Sequence, residues 1–242
     1  MRDVWTVLLK ELKELTNADG VWVALTTVVV FLLFVGVVIP WMLGISWLRA
    51  PWAVLMWAWI PFFVVTTVTA DSVAGERERR TLETLLATRL PDAAILIGKI
   101  LAAVAGVSAV TILCLPLGLA TLNIAVPGGP HLPPISQLAA LVAVILAGST
   151  FGAALGVLVS IRADSVRQAQ QTLAISAIAL FLGPMVLVRL LPESWTGDLV
   201  NAMMLGSPVR SAAILATVLA VITAPLLAIA LFRFRRRRIP LR

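Results

Sequence analysis

The stretch from residue 71 to residue 99, DSVAGERERRTLETLLATRLPDAAILIGK, carries closely spaced charges of both signs. Glu76 lies four residues before Arg80, and Arg79 lies four residues before Glu83. Opposite charges at this spacing are neighbours on the surface of an α-helix and stabilise it. The pattern therefore predicts a stiff, self-paired helix within this stretch.

The same segment has a compact apolar face formed by four leucines, Leu82, Leu85, Leu86 and Leu90. Pro91 ends the helix, since proline lacks a backbone N–H and disfavours the helical conformation of the residue before it. A simple connector between two longer helices needs only a few polar residues. We interpret the segment as a docking element for another protein, and a solvated loop helix is the alternative.

The sequence shows no motif for nucleotide or metal chemistry. It has no G-x-x-x-x-G-K-[ST] phosphate loop, and Gly98-Lys99 is an isolated pair. Its one histidine, His131, lies in a Pro-Gly turn, and no H-E-x-x-H is present. The long apolar runs also lack the buried ionisable groups that proton- or sodium-coupled carriers place near the membrane midplane. We expect no enzymatic activity and no cofactor in this chain, and an energy source outside it.

The composition places the chain in a membrane. Of its 242 residues, 60% are hydrophobic and 13% charged, against about 25% charged in soluble domains. The mean hydropathy is +1.02. A soluble globule of this size could not bury so much apolar surface. The net charge of +7 lies at the edges of apolar runs, with no basic stripe of the kind that binds nucleic acid.

The apolar runs predict an all-α, polytopic fold with six transmembrane helices. A spanning helix needs about 20 apolar residues, and charged residues or a Pro-Gly turn at 127–134 separate the runs. Helices are favoured because each satisfies its own backbone hydrogen bonds in lipid. The predicted spans are residues 21–45, 52–73, 94–122, 135–161, 168–189 and 210–232, in a single domain covering 1–242.

The positions of lysine and arginine set the orientation. With the N-terminus inside, only Arg49, Arg189 and Arg210 lie outside, and the other 16 of the 19 basic residues lie on the inner side. Basic residues concentrate in cytoplasmic loops. We therefore predict that both termini are cytosolic, including the basic tail at residues 233–242.

The N-terminal segment, residues 2–16, has an amphipathic pattern. Val4, Leu8, Leu12 and Leu15 share one helical face. Its position directly before the first span favours a helix lying in the inner membrane interface. The alternative is an ordinary solvated amphipathic helix.

Tryptophans and glycines suggest further roles. Six tryptophans fall near the outer ends of spans, namely Trp41, Trp47, Trp52, Trp57, Trp59 and Trp195. We interpret them as an aromatic belt at the headgroups, with an aromatic vestibule for an apolar cargo as the alternative.

Gly148, Gly152 and Gly156 recur every fourth residue in the fourth span, which permits close helix packing. Packing within the subunit is the first interpretation, and packing between subunits the second.

The pattern from Gly75 to Lys99 resembles the permease subunits of type-2 ATP-binding-cassette exporters. The residues that carry the resemblance are, in order, Glu-Arg-Glu, Thr-Leu-Glu-x-Leu-Leu, a proline and Ile-Leu-x-Gly-Lys. The run RADSVRQAQQ at 162–171 resembles the second cytosolic loop of that family. The six spans, interfacial helix and cytosolic termini match its plan. The short region at 192–208 departs from members that carry a large external domain.

The resemblance implies that residues 75–90 form a cytosolic coupling helix that fits a cleft in a separate ATPase subunit. The residues carried over to this role are Glu76, Arg77, Glu78, Arg79, Arg80, Thr81, Leu82, Glu83, Leu85 and Leu86. It also implies ATP and Mg²⁺ on the ATPase subunit, a second permease copy in a homodimer joined through the first and fifth spans, and location in a prokaryotic cytoplasmic (inner) membrane.

The function predicted from these features is the membrane-spanning subunit of an ATP-driven ABC exporter. Two other classes are considered: an intramembrane enzyme, which would need a convergent set of titratable groups, and a structural or regulatory membrane protein without transport. The sequence does not name the cargo. Its apolar interior favours a lipid, a drug-like molecule or another amphipath over a bare ion.

Overall fold

The computed structural model describes residues 5, 7, 21–78, 91–190, 197 and 206–234. Every regular element among them is a helix, which confirms the predicted all-α class. The helices are α1 (Val21–Leu33), α2 (Ile39–Leu43), α3 (Ser46–Arg49), α4 (Ala53–Ala70), α5 (Glu76–Glu78), α6 (Asp92–Ala125), α7 (Ile135–Ser160), α8 (Val166–Leu190) and α9 (Pro208–Arg233). Two π-helical segments, Phe34–Val38 and Asp71–Gly75, join α1 to α2 and α4 to α5.

Five described helical stretches are long and apolar enough to cross a membrane: Leu25–Leu43, α4, α6, α7 and α9. Helix α8 has 25 residues and covers the fifth predicted span, but it is not among these five, so a sixth span stays a prediction. Helix α6 has 34 residues, about 51 Å at 1.5 Å per residue, and is therefore much longer than the hydrocarbon core of about 30 Å.

Three predicted segments fall wholly or mostly outside the described residues. They are the interfacial helix at 2–16, the coupling helix at 75–90 beyond Glu78, and the basic tail at 233–242 beyond Phe234. Of the first, Trp5 and Val7 are described as helical, and Trp5 is exposed whereas Val7 is buried.

Helix α7 lies at the centre of the bundle and packs against α4, α6, α8 and α9. Its glycines permit the close approach to α4. A Cβ added at Gly148 would lie 2.5 Å from the Ala58 carbonyl oxygen, and one at Gly152 would lie 2.8 Å from that of Phe62. Both contacts are with backbone atoms, which cannot rotate away. The glycine stripe therefore packs within the chain, as the first interpretation predicted.

The bundle has two ends, set by the course of the helices. The end at which α4, α7 and α9 finish and α6 and α8 begin is called the inner end. Ile95 and Leu96 of α6, Ile161 after α7 and Phe234 after α9 meet there in one buried cluster. The opposite, outer end holds α3 and the turn between α6 and α7.

At the outer end, the aromatic-belt interpretation is wrong for two tryptophans. Trp47 and Trp57 are 2% and 1% exposed and contact each other edge to face, with ring centroids 5.6 Å apart. Trp47 lies on the short helix α3, which folds back against α6 so that its ring covers Gly118. Trp41 and Trp52, in contrast, are exposed, as a belt requires.

Candidate coupling site at the inner end

An ion pair joins the start of the predicted coupling segment to helix α6. The Lys99 Nζ atom lies 2.8 Å from the Glu76 Oε1 atom, and the two side chains are 2% and 16% exposed. A buried ion of this kind requires a partner because its desolvation is costly. Glu76 is therefore held against α6 by a charge that water scarcely reaches.

A hydrogen bond joins the same segment to helix α8. The Val166 backbone N–H donates to Glu78 Oε2 at 3.2 Å. Val166 is the first residue of α8, where backbone N–H groups lack partners within the helix and the helix dipole favours a carboxylate. Two carboxylates two residues apart thus contact two different helices.

Small side chains bring these elements together. Ala70, Ala74, Ala163 and Ala169 form a buried cluster between the end of α4, the π-helical segment and the beginning of α8. A Cβ at Gly75 would lie 3.0 Å from Asp71 Oδ1 and 3.6 Å from Val166 Cγ2. The backbone leading into the coupling segment therefore has little room to move independently of α8.

The turn between α7 and α8 is fixed by its own hydrogen bonds. The Gln168 N–H donates to Ser165 Oγ at 3.2 Å, and Gln168 Oε1 accepts from the Asp164 N–H at 2.8 Å. This reciprocal arrangement resembles a capping box, which satisfies N–H groups at a helix start. The turn covers only the first part of the run at 162–171 that resembles the second cytosolic loop, because α8 already begins at Val166. It presents a preformed N-terminus to Glu78.

The arrangement links one short segment to two helices. A displacement of Glu76–Glu78 would act on α6 through the ion pair and on α8 through the hydrogen bond. The described residues around the site include no group of three metal-ligating side chains.

Sequence reasoning identified Glu76 and Glu78 but missed their partners. Lys99 was used for membrane orientation and for the family pattern but not as an ion-pair partner, although a lysine inside the first turns of an apolar helix is itself a signal of a buried carboxylate partner. The backbone of Arg77 is described without its side chain. The remaining predicted residues lie outside the described part of the chain, and their role stays a prediction: Arg79, Arg80, Thr81, Leu82, Glu83, Leu85 and Leu86.

A second feature with possible function is an apolar cavity of about 320 Å³ between α4, α7, α8 and α9. Aromatic rings form much of its wall. Trp59 contacts Phe181 with centroids 5.5 Å apart, and Phe62 stacks on Phe151 at 5.5 Å. No sequence pattern distinguished Phe62, Phe151 or Phe181 from other apolar residues in the spans.

Comparison with known protein families gives a match. The family model described as ABC-2 family transporter protein matches residues 50–232, about three quarters of the chain. The matched region runs from the end of α3 to the last turn of α9 and includes the ion pair, the Glu78 contact and the apolar cavity. No curated protein matches the chain significantly.

Proposed function

Because the chain belongs to the ABC-2 family of transporter proteins, and is thus a multi-pass membrane transport subunit, we propose that it spans the membrane in an ATP-driven exporter. Separate ABC ATPase subunits would bind ATP and Mg²⁺. Force from ATP binding would enter this chain through the coupling segment, residues 75–90.

The observation that carries this proposal is the double attachment of Glu76 and Glu78. A segment that only connected two spans would need no such contacts. Here one carboxylate pairs with Lys99 inside α6, and the other contacts the first N–H of α8. Docking of an ATPase on the adjacent segment would therefore move both helices together, without dissipation in a flexible linker.

A homodimer is consistent with the surfaces that the helices leave uncovered. Only 17% of the Leu25–Leu43 stretch is buried within the chain. On α8, Ile175, Ile178 and Phe181 are exposed. Lipid can cover such surfaces, and so can a second permease copy. A seam on the first and fifth spans is what the family resemblance implies. We propose that these surfaces meet in a complex of two permeases and two ATPases in a prokaryotic inner membrane.

The cavity between α4, α7, α8 and α9 supports an apolar or amphipathic cargo. Its volume, about 320 Å³, lies at the lower end of small-molecule pockets. Aromatic and aliphatic side chains line it, Trp59 among them. This retains the aromatic-vestibule alternative for Trp59, whereas Trp47 and Trp57 belong to the packed core.

The alternative, a structural or regulatory membrane protein, predicts no association with an ATPase. Leu85→Ala tests the two readings, because removal of a central apolar anchor from an interface typically costs about 2 kcal/mol or more. We expect weaker co-purification with the ATPase, or ATP hydrolysis uncoupled from transport in reconstituted vesicles, and the same for Glu83→Ala. Leu132→Ala, an exposed leucine in the outer turn, is the matched control.

Normal ATPase binding and normal transport by both Leu85→Ala and Glu83→Ala would show that this segment is not the coupling helix. Failure of the unaltered chain to bind any ABC ATPase would instead favour the structural or regulatory alternative.

Membrane topology gives a separate test. A reporter fused after Arg242 is expected in the cytosol, and one inserted at Gly129, in the exposed turn between α6 and α7, is expected outside. Basic residues keep their loops on the cytosolic side, which separates the two positions. The readout is reporter activity on each side. Both reporters on one side would refute the six-span arrangement.

A further inference from the structure

A cavity of about 390 Å³ opens at the inner end between the end of α7, the beginning of α8 and the end of α9. It is separate from the aromatic cavity and from the Lys99–Glu76 pair. Leu158 and Ile229 supply apolar walls, and Gln168 and Thr172 of α8 supply an amide and a hydroxyl. Two arginines, Arg162 and Arg233, complete its lining.

The two guanidinium groups come from segments far apart in sequence. Arg162 is exposed and follows the last turn of α7, and Arg233 is half-buried as the last residue of α9. Phe234 fixes the end of α9, since it is 2% exposed and its N–H donates to the Ala230 carbonyl at 2.9 Å. Among the described residues, neither arginine forms an ion pair with a carboxylate. Two cations facing one cavity repel each other unless an anion lies between them.

The chemistry of the cavity selects an anion with an apolar part. A phosphate alone would use the guanidinium groups but leave the walls formed by Leu158 and Ile229 in contact with water. Arginine binds phosphate through two parallel N–H···O bonds. The cavity also lies where two spanning helices end, at the level expected for lipid headgroups, and the sequence continues with four more arginines at 235–238.

We propose that this cavity binds the headgroup phosphate of an anionic phospholipid, with Arg162 and Arg233 as its ligands and acyl carbons against Leu158 and Ile229. The bound lipid connects the end of α9 to the turn that presents α8 to Glu78. The proposal concerns lipid recognition and does not require the exporter function.

The test uses the purified full-length chain in a neutral detergent. Binding of dioctanoyl phosphatidylglycerol, dioctanoyl phosphatidylcholine and inorganic phosphate is measured by native mass spectrometry and by thermal shift. We expect preference for phosphatidylglycerol over both other probes. Arg162→Gln and Arg233→Gln should each weaken its binding about tenfold or more, as expected for loss of a charge-assisted contact with the phosphate.

Two further variants separate a specific site from general charge and from misfolding. Arg210→Gln, at the opposite end of α9, should leave phosphatidylglycerol binding unchanged. Ile229→Gln should weaken binding of the lipid and not of inorganic phosphate, because it alters only the apolar wall. Since Arg162 is exposed and Ile229 is 42% exposed, both changes are compatible with folding.

Equal binding of phosphatidylglycerol and phosphatidylcholine, or equal loss with Arg210→Gln, would overturn the proposal. Phosphate binding as tight as lipid binding would identify a site for the free anion instead. The Arg162→Gln, Arg233→Gln double variant gives a further outcome. If it still binds the lipid but associates less with the ATPase in lipid-free detergent, the cavity belongs to a protein partner and the proposal is overturned.

Discussion

Lys99→Met is expected to uncouple ATP hydrolysis from transport while leaving the spans inserted. The change removes the cation that the Glu76 carboxylate faces at 2.8 Å, and both side chains are largely buried. Removing one partner of a buried pair typically costs about 3–5 kcal/mol, because the remaining charge stays desolvated. The Glu76–Glu78 segment should therefore lose the ion pair that joins it to α6.

The measurement is the ratio of transport to ATP hydrolysis in vesicles reconstituted with the ATPase. We expect this ratio to fall about tenfold or more, which corresponds to about 1.4 kcal/mol or more lost at the coupling step. Arg49→Gln, which removes an exposed charge at the outer end, is the control. The double variant Lys99→Met, Glu76→Gln should recover folding stability relative to either single change, since it removes both charges of the pair together.

Recovery of stability without recovery of transport would assign the ion pair to coupling. Recovery of both would show that the pair serves only folding. A Lys99→Met chain that transports at the normal ratio would contradict the role given to the pair.

Gly152→Leu is expected to prevent assembly of the bundle. Even the first added carbon would lie 2.8 Å from the Phe62 carbonyl oxygen and 3.1 Å from the Phe62 Cα. Backbone atoms of α4 cannot rotate out of the way, so α4 and α7 would have to separate. Overpacking by a few methylene groups typically costs about 1–3 kcal/mol, and more where the obstacle is backbone.

The measurement is the yield of monodisperse protein in detergent and its apparent melting temperature. Gly106→Ala is the matched control, because nothing lies within 4 Å of a Cβ added there, and helix propensity favours alanine by about 0.5–1 kcal/mol. We expect Gly106→Ala to be neutral or stabilising. A Gly152→Leu chain with normal yield and melting temperature would show that the α4–α7 contact is not required.

The pair of glycine variants also illustrates what pattern alone cannot resolve. Both glycines lie in stripes of small residues at four-residue spacing, one formed by Gly98, Ala102 and Gly106 and the other by Gly148, Gly152 and Gly156. Spacing shows that another helix could approach, but only the arrangement of neighbours shows which stripe is occupied. A Cβ added at Gly152 would meet the backbone of α4, whereas one added at Gly106 would meet no described atom of a neighbouring element within 4 Å.

The sequence by itself determined the membrane class, the all-helical fold, the family and the position of the charged segment after α4. These follow from local properties: the length of apolar runs, the sign of charge at their ends and the Glu-Arg-Glu pattern with its leucines. Lipid imposes them on each span separately, so no knowledge of packing is needed. Residues 79–90 and the six-span count stay predictions.

The tertiary structure alone decided which residues from distant segments meet. Glu76 faces Lys99, 23 residues away, and Glu78 contacts Val166, 88 residues away. Trp47 and Trp57 entered the core because α3 folds back onto α6, although their positions near span ends predicted a headgroup belt. Long-range contacts of this kind depend on the order and tilt of the helices. Inside lipid those are set by close packing and a few polar bonds between helices, which single-sequence periodicity does not encode.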